Sequence, residues 1–258
     1  MIWSKLMLAA CLLALASPGW AAAPTVDNSI SASSEAAATS LETVSWAIAG
    51  STRYLICGVG SGAGTPVDVT NVKWGGSGGT PLLQEGSTLN IGANLKLSIW
   101  KLLAPTAQSS TIYADWGSSQ DERVIFCVSA NGVDQTTPIG TMATATGSAS
   151  NTSTVNVTTS ADDLVIDVTW AVDSFGGTLV VGAGQTMQKE IENPTLTYEA
   201  GGTSTEVATG ASTTMSWTFT TGGTTMDDWG IMAIPLKPDA GGGGGATPRN
   251  LMMIGVGQ

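Results

Sequence analysis

The sequence predicts an all-β fold, an antiparallel two-sheet sandwich, and three observations carry the prediction. Apolar residues recur at every second position in run after run. Clusters rich in Gly, Ser, Thr and Asp separate those runs at short intervals. Beyond the first twenty or so residues, no stretch carries an apolar stripe of helical period. Composition agrees: only 11% of residues are charged and 33 are glycine, which leaves few of the Lys and Glu that favour helices.

The strands can be justified in order. TVSWAI aligns Val44, Trp46 and Ile48 on one face, and RYLICGV is an apolar run around Cys57. KLSIWKLL (96–103) is apolar on both faces, the pattern of a central strand. RVIFCV carries Cys127. LVIDVTWAV sets Leu164, Ile166, Val168, Trp170 and Val172 against Asp167 and Thr169, and TMSWTF sets Met215, Trp217 and Phe219 against Thr214, Ser216 and Thr218. Between them lie GSGAGTP, GGSGGTP, DWGSSQD, SADD, DSFGG and EAGGTS, all turn chemistry. About a dozen short strands in two packed layers follow from this spacing.

The ends read differently. MIWSKLMLAACLLALASPGWAAA has one basic residue, an apolar centre and small residues before a cleavage point after Ala21, the layout of a secretory signal peptide. LAAC also spells a lipobox ending at Cys11, but the apolar run before it is short and continues after it. The expected organisation is a signal peptide at 1–21, a sandwich domain at 22–238, a glycine-rich linker at 239–246 and an apolar tail at 247–258. No later run suits a bilayer, so no membrane insertion is expected once the signal is removed. The tail, LMMIGVGQ, reads either as a last strand or frayed end or as a segment that docks on an assembly partner by strand addition.

Net charge is −11 with no basic stripe, a field that repels phosphate backbones and anionic lipid. Nucleic acid is excluded as a partner on that ground. After the signal, Cys57 and Cys127 remain, each inside an apolar run. They form either a disulfide, as suits an exported protein, or two buried thiols.

Three apparent motifs fail on chemistry. Gly58-Val59-Gly60-Ser61-Gly62-Ala63 fits a dinucleotide pattern, but TPVDVTNV follows it as a strand where a helix N-terminus is needed. Gly75-Gly76-Ser77-Gly78-Gly79 spells a nucleophile elbow, yet the chain has no histidine to act as base. The same lack of histidine, with no Cys-rich cluster, excludes zinc. No cofactor is expected, although loop carboxylates and carbonyls suit a structural calcium. Catalysis would fall to paired carboxylates, with Asp134, Asp167, Asp173 and Asp228 as candidates.

Tryptophan supplies the binding candidates. Trp46, Trp170 and Trp217 lie on apolar stripes and belong in the core. Trp74, before GGSGG, and Trp116, in YADWGSS, stand at strand ends, and Trp229 opens the last strand. An exposed indole at Trp116 or Trp74, with Asp115 beside it, would seat a sugar ring; the alternative is that these rings cover the ends of the sandwich. NGVDQTTPIG (131–140) reads as a corner, in which Gly132 turns the chain, Asp134 and Thr136 cap loop amides and Pro138 fixes the exit.

GVDQTTPIG, with VTNVKWGG, LSIWKLLAP, ADDLVIDV, VGAGQT, TGASTTMSWTF and WGIMAIPLKP in this order, resembles a family of uncharacterised bacterial and phage-associated extracellular domains. The resemblance spans about residues 40–238. It implies a jelly-roll-like sandwich, with a concanavalin-like layout as the other arrangement, and brings no catalytic residues. The expected function is that of a secreted, non-enzymatic surface, adhesion or structural protein, extracellular or at the cell surface. A carbohydrate-binding module using exposed tryptophan is the alternative, and a carboxylate-dependent glycan-active enzyme the third reading. The expected partners are a glycan, or a cell-surface or assembly partner met through the tail.

Overall fold

A computed structural model describes residues 21–62, 64–172, 178–192, 199–220 and 226–240. The expected signal peptide up to residue 20, Asp173 and the apolar tail lie outside the described residues. The described residues contain no helix and nineteen antiparallel strands, so the all-β sandwich stands.

The first half holds β1 (Thr25–Ser34), β2 (Ala38–Glu42), β3 (Trp46–Ile48), β4 (Tyr54–Gly62), β5 (Asn71–Trp74), β6 (Thr80–Pro81), β7 (Leu83–Ile91), β8 (Leu95–Leu103), β9 (Gln108–Ser110), β10 (Ile112–Gln120) and β11 (Glu122–Asn131). The second half holds β12 (Ala143–Ser148), β13 (Thr152–Thr158), β14 (Leu164–Val172), β15 (Thr178–Val181), β16 (Thr186–Glu192), β17 (Glu199–Val207), β18 (Ser212–Thr220) and β19 (Asp228–Leu236). In the first, β1-β11-β4-β8-β7 form one sheet and β2-β10-β5-β6 another, with β3-β9 as a small two-stranded sheet. In the second, β12-β19-β14-β17-β16 face β13-β18-β15.

These two layouts are the same layout. Pairs β1·β11, β2·β10 and β4·β8 nest inside one another, as do β12·β19, β13·β18 and β14·β17. Each half is therefore a long hairpin rolled up on itself, the jelly-roll wrap. The sandwich read from the sequence is present twice.

Three apolar clusters show how the layers stack. Leu55, Cys57, Val59, Ile125 and Cys127 pack against Val72, Trp74, Ile112, Ala114 and Trp116, filling the first sandwich. Val165, Ala171, Ile231 and Ala233 pack against Val155, Val157, Met215, Trp217 and Phe219, filling the second. The third cluster joins the halves: Tyr54, Ile56, Leu97, Ile99, Phe126 and Val128 meet Ile166, Val168, Trp170, Met232 and Ile234. The two larger sheets are thus back to back and buried on both faces, while the two smaller sheets lie outermost. This is why RYLICGV and LVIDVTWAV are apolar almost throughout.

The central contact is close because one repeat supplies glycine where the other supplies bulk. A Cβ on Gly58 would lie 2.5 Å from Val168, and one on Gly60 would lie 2.2 Å from the Trp170 ring. Register makes these equivalent positions. Tyr54 is paired with Ala130 and Leu103, and Leu164 with Leu236 and Val207, so 58 corresponds to 168 and 60 to 170.

The stretch 131–140 is the seam between the repeats. Gly132, at φ 74°, turns the chain out of β11. Val133 and Ile139 then bridge to Pro238 and Leu236 at the end of β19. Asp134 Oδ1 accepts from the amides of Thr136 (2.7 Å) and Thr137 (3.1 Å), which holds its carboxyl below the usual range. The polar residues in this corner serve the turn.

Candidate binding face and a buried carboxylate

Strand β10 decides where the sequence-predicted site residues go. Its inward residues are Ile112, Ala114 and Trp116, and its outward residues are Tyr113 and Asp115. Trp116 is 1% exposed and Trp74 2%, so neither offers an indole face to a ligand. This corrects the expectation of exposed tryptophans. Their register puts them between the sheets of the first sandwich, where Trp74 meets Trp46 edge to face at 5.7 Å and its Nε1 donates to Thr106 O. Asp115, half-buried, does face outward, and its Oδ1 accepts from Gly117 N at 3.3 Å.

The outward residues of β2, β10 and β5 form two rows across the sheet. Glu42, Tyr113 and Lys73 stand opposite one another in the ladder, and Ser40, Asp115 and Asn71 form the next row. The GGSGG loop borders one end: Lys73 Nζ donates to Ser77 O at 2.6 Å, and Gly76 lies beside the Glu42 carboxylate. Thr111 Oγ1 donates to Glu42 Oε1. Among the described residues no strand packs over this face.

The other chemically loaded cluster is internal. Asp167 is fully buried in the second sandwich, where Oδ1 accepts from Ser204 N and Ser204 Oγ, both at 2.8 Å. Oδ2 accepts from Trp217 Nε1 at 2.8 Å and from Gln185 Nε2 at 3.3 Å. Burial pushes the Asp167 carboxyl up to about 7, against the pull of these donors, and the neighbouring Glu206 carboxylate adds to the rise. Burial also raises Glu206, whose Oε2 has no partner among the described residues. Every described donor to Asp167 is neutral, so this is a structural carboxylate tying three strands and the β15–β16 loop together.

The equivalent position in the first repeat holds a disulfide. Cys57 pairs with Cys127 across β4 and β11, their Cα atoms 4.1 Å apart, with Trp100 as the partner on β8. Asp167 has Ala233 and Ser204 in those two places. One repeat is stapled there by a covalent bond and the other by a hydrogen-bonded carboxylate.

The three described acids among those nominated for catalysis do not converge. Asp134 caps the seam, Asp167 is internal, and Asp228 lies five register positions along the β14–β19 ladder from the residue opposite Asp167. Among the described residues no three His, Cys, Asp or Glu side chains gather as a metal site.

No family model, curated protein or solved structure matches the chain. Its function must be read from its own residues. Sequence reasoning missed Tyr113, Ser204, Gln185 and Glu206. The alternation in YADWGSS held the signal for Tyr113, since a buried Trp116 places Tyr113 and Asp115 on the opposite face.

Proposed function

We propose that the chain is an exported, non-enzymatic surface or adhesion protein, a rigid double sandwich that presents its outer sheets to the surroundings. The observation that supports this reading best is the stacking. Two jelly rolls packed through their larger sheets leave the two smaller sheets facing opposite ways, a layout for bridging rather than for enclosing a substrate. The disulfide is compatible with an extracellular protein, and no described helix is long and apolar enough to cross a membrane. Asp134 and Asp167, two of the four acids nominated for chemistry, are engaged in capping and core hydrogen bonds.

Protease shaving of intact producing cells, with thiol-alkylation mass analysis, tests this. The expected result is protein in the shaved and culture-fluid fractions with Cys57 and Cys127 resistant to alkylation. A chain retained inside cells with both thiols alkylated contradicts export. Release of reducing ends from a polysaccharide, abolished by a single Asp→Asn change in a variant that melts like the wild type, contradicts the non-enzymatic part.

A further inference from the structure

We propose that the outer face of β2, β10 and β5 binds a neutral glycan, a pyranose chain laid across Tyr113 and hydrogen-bonded by Asp115, Asn71, Glu42 and Ser40. The proposal rests on the reading of the chain as an exported surface protein and names the ligand class of its candidate face.

The molecule contains its own control. The second repeat has the same topology, and its outer face shows what the fold alone requires. Among the described residues of β13 and β18 that face carries Thr152, Thr154, Asn156 and Thr158 beside Thr214, Ser216 and Thr218, with neither a charge nor an aromatic ring. Threonine and serine suit a solvated sheet surface and need no further explanation. The first repeat places an aromatic ring, two carboxylates, an amine and an amide on its corresponding face. The wrap does not demand them, since the other repeat is built without them.

Their chemistry suits a sugar. A tyrosine ring offers a flat apolar surface to the C–H face of a pyranose, and carboxylate and amide groups beside it accept and donate to ring hydroxyls. Asp115 Oδ2 and Glu42 Oε2 accept nothing from the described residues, so each carboxylate has an oxygen to offer. Lys73 is drawn towards the loop by Ser77 O, which leaves the carboxylates as the open charges of the face. With a net charge of −11 behind them, these exclude anionic polysaccharides and select a neutral one.

The test is affinity electrophoresis of the full chain in gels containing a soluble β-glucan, xylan, mannan or galactan, with alginate as the anionic arm. Retardation is expected in at least one neutral gel and absent in alginate. Tyr113→Ala should weaken the affinity by about tenfold or more and Asp115→Asn several-fold, while Thr154→Ala on the opposite outer face binds like the wild type. No retardation in any neutral gel, retardation in alginate alone, or full binding by Tyr113→Ala overturns the proposal. Should Tyr113→Ala melt below the wild type, Asp115→Asn decides, and full binding by it overturns the proposal. A chain shaved from cell surfaces yet unretarded in every gel sinks the glycan site only. A reduced intracellular chain sinks the export reading whatever the gels show.

Discussion

Asp167 sits in the second sandwich with four donors and no cation beside it among the described residues, so its proton is tied to stability. Its folded pKa, about 7, lies above the ordinary carboxylate value, and the fold therefore binds a proton that the unfolded chain has released. The stabilisation is complete below about pH 4 and is lost as pH rises through about 7. Each tenfold difference in proton affinity between the folded and unfolded chain is worth about 1.4 kcal/mol, so the fall across that window is on the order of 4 kcal/mol. Denaturant midpoints measured from pH 4 to 8 should decline, and Asp167→Asn should flatten the decline at a cost to stability. A wild-type midpoint that rises across the window would rule this out. A second residue-scale prediction separates the two faces of β10. Trp116→Ala empties a core position and should cost about 3–5 kcal/mol, whereas Tyr113→Ala on the outer face should cost about 0.5 kcal/mol or less. Equal losses in chemical denaturation would contradict the assigned register.

At the scale of elements, the repeats stabilise one position by different means. The Cys57–Cys127 bond closes 70 residues, and in the chain-entropy model replacing both cysteines by alanine should lower stability by about 4 kcal/mol. Unchanged denaturant midpoints for the double variant would refute that contribution. Strand existence was legible in the sequence because alternation survives wherever one face is buried, as in TMSWTF, whose Met215, Trp217 and Phe219 are all fully buried. Which sheet each strand joins was not legible, because alternation gives two faces and not their neighbours. Trp116 shows the limit: its stripe was visible, but its position near glycines suggested exposure where the partner sheet buries it. The seam was legible as a corner because its glycine, aspartate and proline act within the loop. Its pairing with β19 was not, since that depends on residues about a hundred positions away.

At the scale of the whole molecule, the doubling escaped the sequence for a physical reason. Equivalent positions facing each other across the middle of the stack cannot both be large. Gly58 and Gly60 therefore oppose Val168 and Trp170, and the repeats differ most where they touch. Gly60→Leu would drive a side chain into the Trp170 ring and should destabilise the contact between the halves by about 1–3 kcal/mol. An unchanged melting temperature for that variant would show that the contact is looser than described. The same stacking sets the separation of the outer sheets. Packed layers lie about 10 Å apart, so four layers place the outer sheets about 30 Å apart. Spin labels at Asn71→Cys and Thr154→Cys, one on each outer face, report that separation directly by pulsed electron resonance. Allowing for the length of the labels, the expected backbone distance is about 30 Å, three layer spacings. A distance corresponding to about 10 Å, a single spacing, would mean that the strands form one two-layer sandwich and that the back-to-back arrangement is wrong.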